Sequence, residues 1–118
     1  MKRYKEFFFE AAHYVVTGPS SGPQHLHGHS YRARLTWEGE PDSKTGLLED
    51  FSHVATTIAA LHKELDHTTL NDVLGLENPT MENVSIWIWN KVKPSHPQLS
   101  EVAVSVDTLN EGCSYNGP

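Results

Sequence analysis

Eight histidines stand in these 118 residues, and three of them crowd into five positions, at His25, His27 and His29. The pair His27-Gly28-His29 has the spacing that matters. In an extended chain, residues i and i+2 point to the same face, so both imidazoles can meet one ion. Gly28 lets backbone pass close by. A third imidazole can come from a neighbouring strand. His13, which shares a face with Phe9 and Ala11, is the best placed. Three histidines with a fourth position open form a catalytic zinc arrangement. Imidazole also suits copper, iron and nickel, so zinc is a preference set by donor type. The plainer reading is that His25, His27 and His29 are polar loop residues.

Other groups carry weaker signals. Asp66-His67 reads as an oriented acid/base pair, or as two polar residues following a helix whose dipole favours a C-terminal histidine. Glu82 could bind a ligand, or simply place a charge in the first turn of a helix. Asp107 is an acid within a valine-rich alternation. It could anchor a ligand or face solvent. Trp87 and Trp89 read as core. Cys113 reads as an inert thiol, because no positive neighbour would lower its pKa.

The elements that must position these groups follow from periodicity. Residues 3–13, rich in aromatics, predict a strand. Residues 17–23, Thr-Gly-Pro-Ser-Ser-Gly-Pro, predict a loop. Residues 30–37 alternate, with Tyr31, Ala33, Leu35 and Trp37 on one face, and predict a half-buried strand. Asp50 or Ser52 can cap a helix to about Leu65, with Phe51, Val54, Ala55, Ile58, Leu61 and Leu65 as its apolar face. Residues 66–79 read as a connection. Thr80 is the N-cap of a second helix to about Lys93, apolar nearly all round from Val84 to Trp89. Pro94 and Pro97 end it. Residues 101–107 alternate again, and a short extended piece follows near Ser114-Tyr115. Strands bracketing two helices predict an α+β fold with an antiparallel sheet and both helices on one face.

The length predicts one domain over residues 1–118, small enough that oligomerisation would help it. The net charge of −6 makes nucleic acid an unfavoured partner. One cysteine excludes an intramolecular disulfide. Glu6, Glu10 and His13 interrupt the N-terminal apolar segment, so it does not read as a signal peptide. No apolar run is long enough to span a membrane. The expectation is a cytoplasmic protein.

Taken together, Phe9-Glu10-Ala11-Ala12-His13, Leu26-His27-Gly28-His29-Ser30-Tyr31, Gly46-Leu47-Leu48-Glu49-Asp50-Phe51, Leu65-Asp66-His67, Leu70-Asn71, Pro79-Thr80-Met81-Glu82-Asn83 and Val106-Asp107-Thr108 form an ordered set. In this set the chain resembles the 6-pyruvoyltetrahydropterin and 6-carboxytetrahydropterin synthase family over nearly its whole length. The resemblance implies the tunnelling fold, or T-fold, and a homo-oligomer, usually a hexamer made of two trimers. It implies zinc (Zn2+) on His13, His27 and His29, with proton transfer assisted by Asp66 and His67. It implies a reduced pterin held by Asp107, with Thr108, Thr80 and Glu82 at the same site. The implied reaction is carbon–oxygen or carbon–carbon cleavage of 7,8-dihydroneopterin triphosphate or a relative, in tetrahydrobiopterin, queuosine or folate synthesis.

Two positions depart from the family pattern. The base is normally a cysteine four residues before the first histidine of H-G-H, and here that residue is Pro23. A glutamate used by a related branch is also missing, since no acid lies between His13 and His29. His25 is then the nearest substitute base, because imidazole titrates near neutrality. Asp107 stands where the family mostly has glutamate. It keeps the carboxylate but is one methylene shorter. These departures imply altered chemistry or specificity, or a pterin-binding protein without full turnover.

Overall fold

The computed structural model describes residues 1–15 and 25–118. The predicted loop at 17–23, with Pro23, lies outside the described residues. Two long strands dominate. Strand β1 (Lys2–His13) and strand β2 (His27–Glu38) pair antiparallel, in register from Lys2 opposite Glu38 to His13 opposite His27. Strand β2 begins three residues earlier than the alternation at 30–37 suggests, so His27, Gly28 and His29 belong to the strand itself. Strand β3 is only Thr68–Thr69, parallel to β1 at Ala11 and Ala12, inside the stretch expected to be a plain connection. Strand β4 (Leu99–Val106) pairs with β2, and β5 (Glu111–Tyr115) with β4, both antiparallel. The sheet order is β3-β1-β2-β4-β5, antiparallel but for the short β3 edge.

Helix α1 (Phe51–Leu65) and helix α2 (Met81–Val92) cover one face of this sheet, α1 against β1 and α2 against β4 and β5. Asp50 caps α1 by accepting from the Ser52 and His53 amides. Thr80 caps α2 by accepting from the Asn83 amide. Such side chains satisfy amides that the helix start leaves without carbonyl partners. The core is built from the helix-facing residues of each strand: Phe7 and Phe9, Tyr31 to Trp37, Val102 to Val106. Leu61, Leu65, Val84 and Ile88 come down from above. Trp87 and Trp89 are buried, as expected.

Phe51 is a correction. Helical spacing puts it on the apolar face of α1, yet it is 57 % exposed. It is the first residue of the helix, and the Arg3 guanidinium sits 4.9 Å from its ring centre. Cation–π contact replaces core packing there.

One polar group is sealed inside. His96 has no exposed surface. Its Nδ1 accepts from Trp37 Nε1 at 3.2 Å, so its proton is on Nε2, which donates to Thr57 Oγ1 at 2.7 Å. His53 stacks on it at 4.0 Å. These contacts tie α1 to β2 and to the turn before β4. Burial, aided by His53, pushes the His96 pKa down.

Among the described residues, the second face of the sheet carries no helix. Tyr4 and Phe8 are 55 % and 54 % exposed there. Arg34 lies over the Tyr4 ring and Arg32 over Phe8. Arg32 pairs with Glu6 at 3.3 Å and with Asp107 at 2.6 Å, and Arg34 pairs with Glu6.

Candidate metal centre and adjoining cleft

His13 ends β1 and His27 begins β2, as direct cross-strand partners. His29 is two residues on, opposite Ala11. All three rings therefore point to the same side. One ring nitrogen from each lies within 4.8 Å of those of the other two. Extended backbone through His27-Gly28-His29 produces this convergence, as its spacing implies.

Hydrogen bonds fix which nitrogens face inward. His13 Nδ1 is 2.9 Å from the Pro79 carbonyl oxygen, and His27 Nδ1 is 2.8 Å from the His25 carbonyl oxygen. A carbonyl can only accept, so both Nδ1 atoms carry the proton. Both Nε2 atoms then present lone pairs, and these two atoms are 3.1 Å apart. Two lone pairs at that distance repel unless a cation lies between them. Tetrahedral zinc with about 2.0–2.1 Å bonds sets neighbouring nitrogens about 3.3 Å apart. The donor set therefore fits a zinc ion held by His13, His27 and His29. Burial lowers the pKa of His13, which the Pro79 contact partly offsets and His27 adds to. Burial also lowers that of His29, with His13 and His27 adding to it. Both effects favour the neutral form that binds metal. Tyr31 lies beside them, its hydroxyl 3.3 Å from His13 Nδ1. Burial raises its pKa to about 12, so it stays protonated.

Next to this centre is an open cleft of about 660 Å³, lined by Glu10, Gly28, His29, Ser30, His67 and Thr108 among others. His67 follows the end of α1 with φ of 56°. This left-handed conformation is uncommon outside glycine. Reciprocal contacts hold it: the His67 amide donates to the Glu10 carbonyl at 2.6 Å, and the Glu10 amide donates to Asp66 Oδ1 at 2.8 Å. Asp66 Oδ2 accepts from His67 Nδ1 at 2.6 Å. The pKa of Asp66 is lowered, first by the Glu10 amide and then by His67. With its proton on Nδ1, His67 turns a basic Nε2 outward, and its side chain is 80 % exposed. This is the geometry of an oriented acid/base pair.

The remaining sequence candidates separate. Thr108 reaches the cleft. Asp107 does not: it begins a short 3-10 turn after β4, and its carboxylate is occupied by Arg32. Thr80 sits behind His13, next to Pro79, with its hydroxyl used as the α2 cap. Glu82 is exposed in the first turn of α2. His25 is exposed, and its backbone carbonyl orients His27. Cys113 is a half-buried free thiol whose pKa is raised, first by burial. Sequence reasoning missed Ser30, whose hydroxyl donates to Glu10 Oε2 at 2.6 Å. It also missed Asn71, which clamps Tyr14 through the amide at 3.0 Å and the carbonyl at 2.8 Å. Ser30 follows H-G-H directly, which was an available signal. The Pro79 carbonyl had none, being backbone.

Residues 2–118 match the 6-pyruvoyl tetrahydropterin synthase family. The chain belongs to that family. A 6-carboxy-5,6,7,8-tetrahydropterin synthase of Synechocystis is 39% identical over 127 residues, covering 98% of this chain and 92% of that protein. A dihydroneopterin monophosphate aldolase of Pyrococcus furiosus is 35% identical over 89 residues, 75% of this chain and 72% of that one. The solved structure of the Caenorhabditis elegans 6-pyruvoyl tetrahydropterin synthase superposes with a TM-score of 0.85 over 100% of this chain and 96% of that one, at 20% identity. The fold of the family is thus the fold here: a T-fold sheet with its helices on one face. Among the described residues, no helix is long and apolar enough to cross a membrane.

Proposed function

We propose that this family member is a zinc-dependent lyase that cleaves the side chain of 7,8-dihydroneopterin triphosphate or a related reduced pterin. The observation that carries the reading is the pair of carbonyl-fixed imidazoles, His13 and His27, with His29 beside them and His67 across the adjoining cleft. Relatives named as pterin synthases and as an aldolase support both carbon–oxygen and carbon–carbon cleavage. A zinc ion at the three histidines would supply Lewis acidity, making hydroxyl and adjacent C–H protons of the substrate side chain easier to remove. His67 Nε2 accepts such a proton, and Asp66 holds the ring in the tautomer that can do so. Glu10 and Ser30 offer hydrogen bonds along the cleft floor. Thr108 marks the end where the pterin ring would lie. Asp107 serves as its anchor only after releasing Arg32. His25 is the alternative base.

The experiment is direct. Metal-loaded protein is incubated with 7,8-dihydroneopterin triphosphate and with 7,8-dihydroneopterin, and products are read by mass spectrometry. Product that disappears with a chelator supports the reading; unchanged substrates overturn it. Pro23 at the position of the family base favours a second reading, a pterin-binding protein with altered or no catalysis. That reading predicts pterin binding without products. The bare sheet face with Tyr4 and Phe8 supports assembly of several copies, a hexamer by family analogy, which light scattering on the purified protein tests. A location in the cytoplasm stays part of the proposal.

A further inference from the structure

The chain that follows α1 stays fastened to β1. The Glu10 amide donates to Asp66 Oδ1, and the His67 amide donates to the Glu10 carbonyl. Thr68 and Thr69 then pair with Ala11 and Ala12. There the backbone ladder ends. Leu70 is fully buried, and Leu70–Asp72 bends into a 3-10 turn. Asn71 continues the ladder with its side chain, because a carboxamide carries the donor and acceptor of a peptide group. Its Oδ1 accepts from the Tyr14 amide at 3.0 Å, and its Nδ2 donates to the Tyr14 carbonyl at 2.8 Å. Tyr14 directly follows His13, so this pair holds the strand end that carries the histidine.

Asn71 reaches a second segment as well. Its Nδ2 also donates to the Glu77 carbonyl, at 3.4 Å. Glu77 lies two residues before Pro79, whose carbonyl orients the His13 ring. The carboxamide thus touches both the backbone beside His13 and the segment that sets its ring. His67 lies four positions before Asn71, on the stretch pinned to Glu10, Ala11 and Ala12. His13 and His67 therefore ride on one pair of segments, tied at one end by Glu10 and at the other by Asn71.

We propose that Asn71 is a positioning residue, whose carboxamide places His13 and so sets the separation between the three-histidine centre and His67. The inference rests on the lyase reading above for its effect on turnover, and only on metal binding for its effect on geometry. Asn71 supplies no ligand atom to the histidine group; it acts through its neighbours. Alanine at this position loses all three contacts. Aspartate keeps the acceptor for the Tyr14 amide, loses both donors, and sets a carboxylate oxygen against the Tyr14 carbonyl.

The test compares the parent, Asn71→Ala and Asn71→Asp as full chains loaded with cobalt(II). Cobalt(II) binds the same nitrogen donors as zinc, and it is coloured and paramagnetic. Its visible band reports ligand geometry, and the proton shift it induces in the His67 ring falls steeply with distance. In Asn71→Ala both are expected to move, and cobalt and zinc to bind about 10–100-fold more weakly, the usual effect of losing an orienting partner. Asn71→Asp is expected to fall between the two. Hydrogen exchange at the Tyr14 amide checks the contact itself: slow in the parent and in aspartate, fast in alanine. With 7,8-dihydroneopterin triphosphate or 7,8-dihydroneopterin, whichever the parent converts, kcat of Asn71→Ala should fall about 10²-fold, as for a misplacement of about 1 Å, with KM within about twofold. A parent-like band, His67 shift and metal affinity in Asn71→Ala overturns the proposal, even where its melting temperature falls. If the alanine variant does not fold, the same result in Asn71→Asp overturns it. Fast exchange at Tyr14 in the parent also does. If the parent holds cobalt but converts neither pterin, the lyase reading fails alone, and band and shift still decide this one. A parent that takes up no cobalt overturns both.

Discussion

The Pro79 carbonyl oxygen lies 2.9 Å from His13 Nδ1, joining the metal centre to the residue just before the α2 cap. Such partners set the orientation and basicity of a metal ligand. His13→Ala is therefore expected to do two things. It removes zinc binding, and it leaves a buried carbonyl without its donor, costing about 1–3 kcal/mol even without metal. His27→Ala, more exposed, is expected to remove metal with little loss of apo stability. Elemental analysis and urea unfolding of the apo proteins check both. Equal apo stabilities would sink the coupling.

Asp66 and His67 share one hydrogen bond of 2.6 Å. His67→Ala should lower kcat by about 10²–10⁴, the usual range for a positioned acid/base group. Asp66→Asn should lower it while leaving zinc content unchanged. His67→Asn is the useful control, because asparagine tolerates positive φ. It should keep the fold and still lack activity. An active His67→Asn would remove the histidine from proton transfer.

Thr80 has a structural duty that separates it from ligand contact. Thr80→Ala should destabilise the protein by about 1 kcal/mol through loss of the cap. Thr80→Ser keeps the hydroxyl and should keep the stability. Thermal unfolding of the two variants, beside their pterin affinities, distinguishes the cap from a binding role. Weakened pterin binding in the serine variant would place the threonine methyl at the ligand.

The buried His96 gives a pH signature. Unfolded, it takes up a proton as pH falls through about 6.5. Folded, burial and His53 hold the proton off to lower pH. The unfolded state binds more protons in that interval, so stability present above about pH 6.5 is lost as pH falls below it. His13 and His29 act in the same direction in the metal-free protein. Glu49, 3.8 Å from His96 Nδ1 and with its pKa raised by burial, acts in the opposite one. His96→Asn isolates the contribution. Its urea midpoint should vary less between pH 7.5 and 5.5 than that of the zinc-free parent, from a starting stability lower by about 1–3 kcal/mol. Identical slopes would exclude His96 as the sensor.

Both helix starts were legible in the sequence, because Asp50 and Thr80 cap through their own side chains. The valine and aromatic alternations gave the long strands. The histidine spacing gave the convergence of the His13, His27 and His29 rings. Strand β3 was not legible: two threonines carry no periodicity, and their pairing depends on the reciprocal contacts of Glu10 with Asp66 and His67. Phe51 misled because helical spacing gives the face of a residue and not whether the first turn is covered. Spacing left Asp107 open between anchoring a ligand and facing solvent, and its pairing with Arg32, 75 positions away, was not legible. The tautomers of His13 and His27 were invisible, since backbone carbonyls set them and every residue has one.

The turn at His67 also fixes how this chain can vary. One residue inserted in or removed from α1 would swing the helix end by about 100°. The amide of residue 67 would no longer meet Glu10, and the imidazole would leave the cleft. Length changes ought therefore to accumulate before Asp50, in the loop around Lys44, while the distance from the Asp50 cap to His67 stays constant among chains that keep this chemistry.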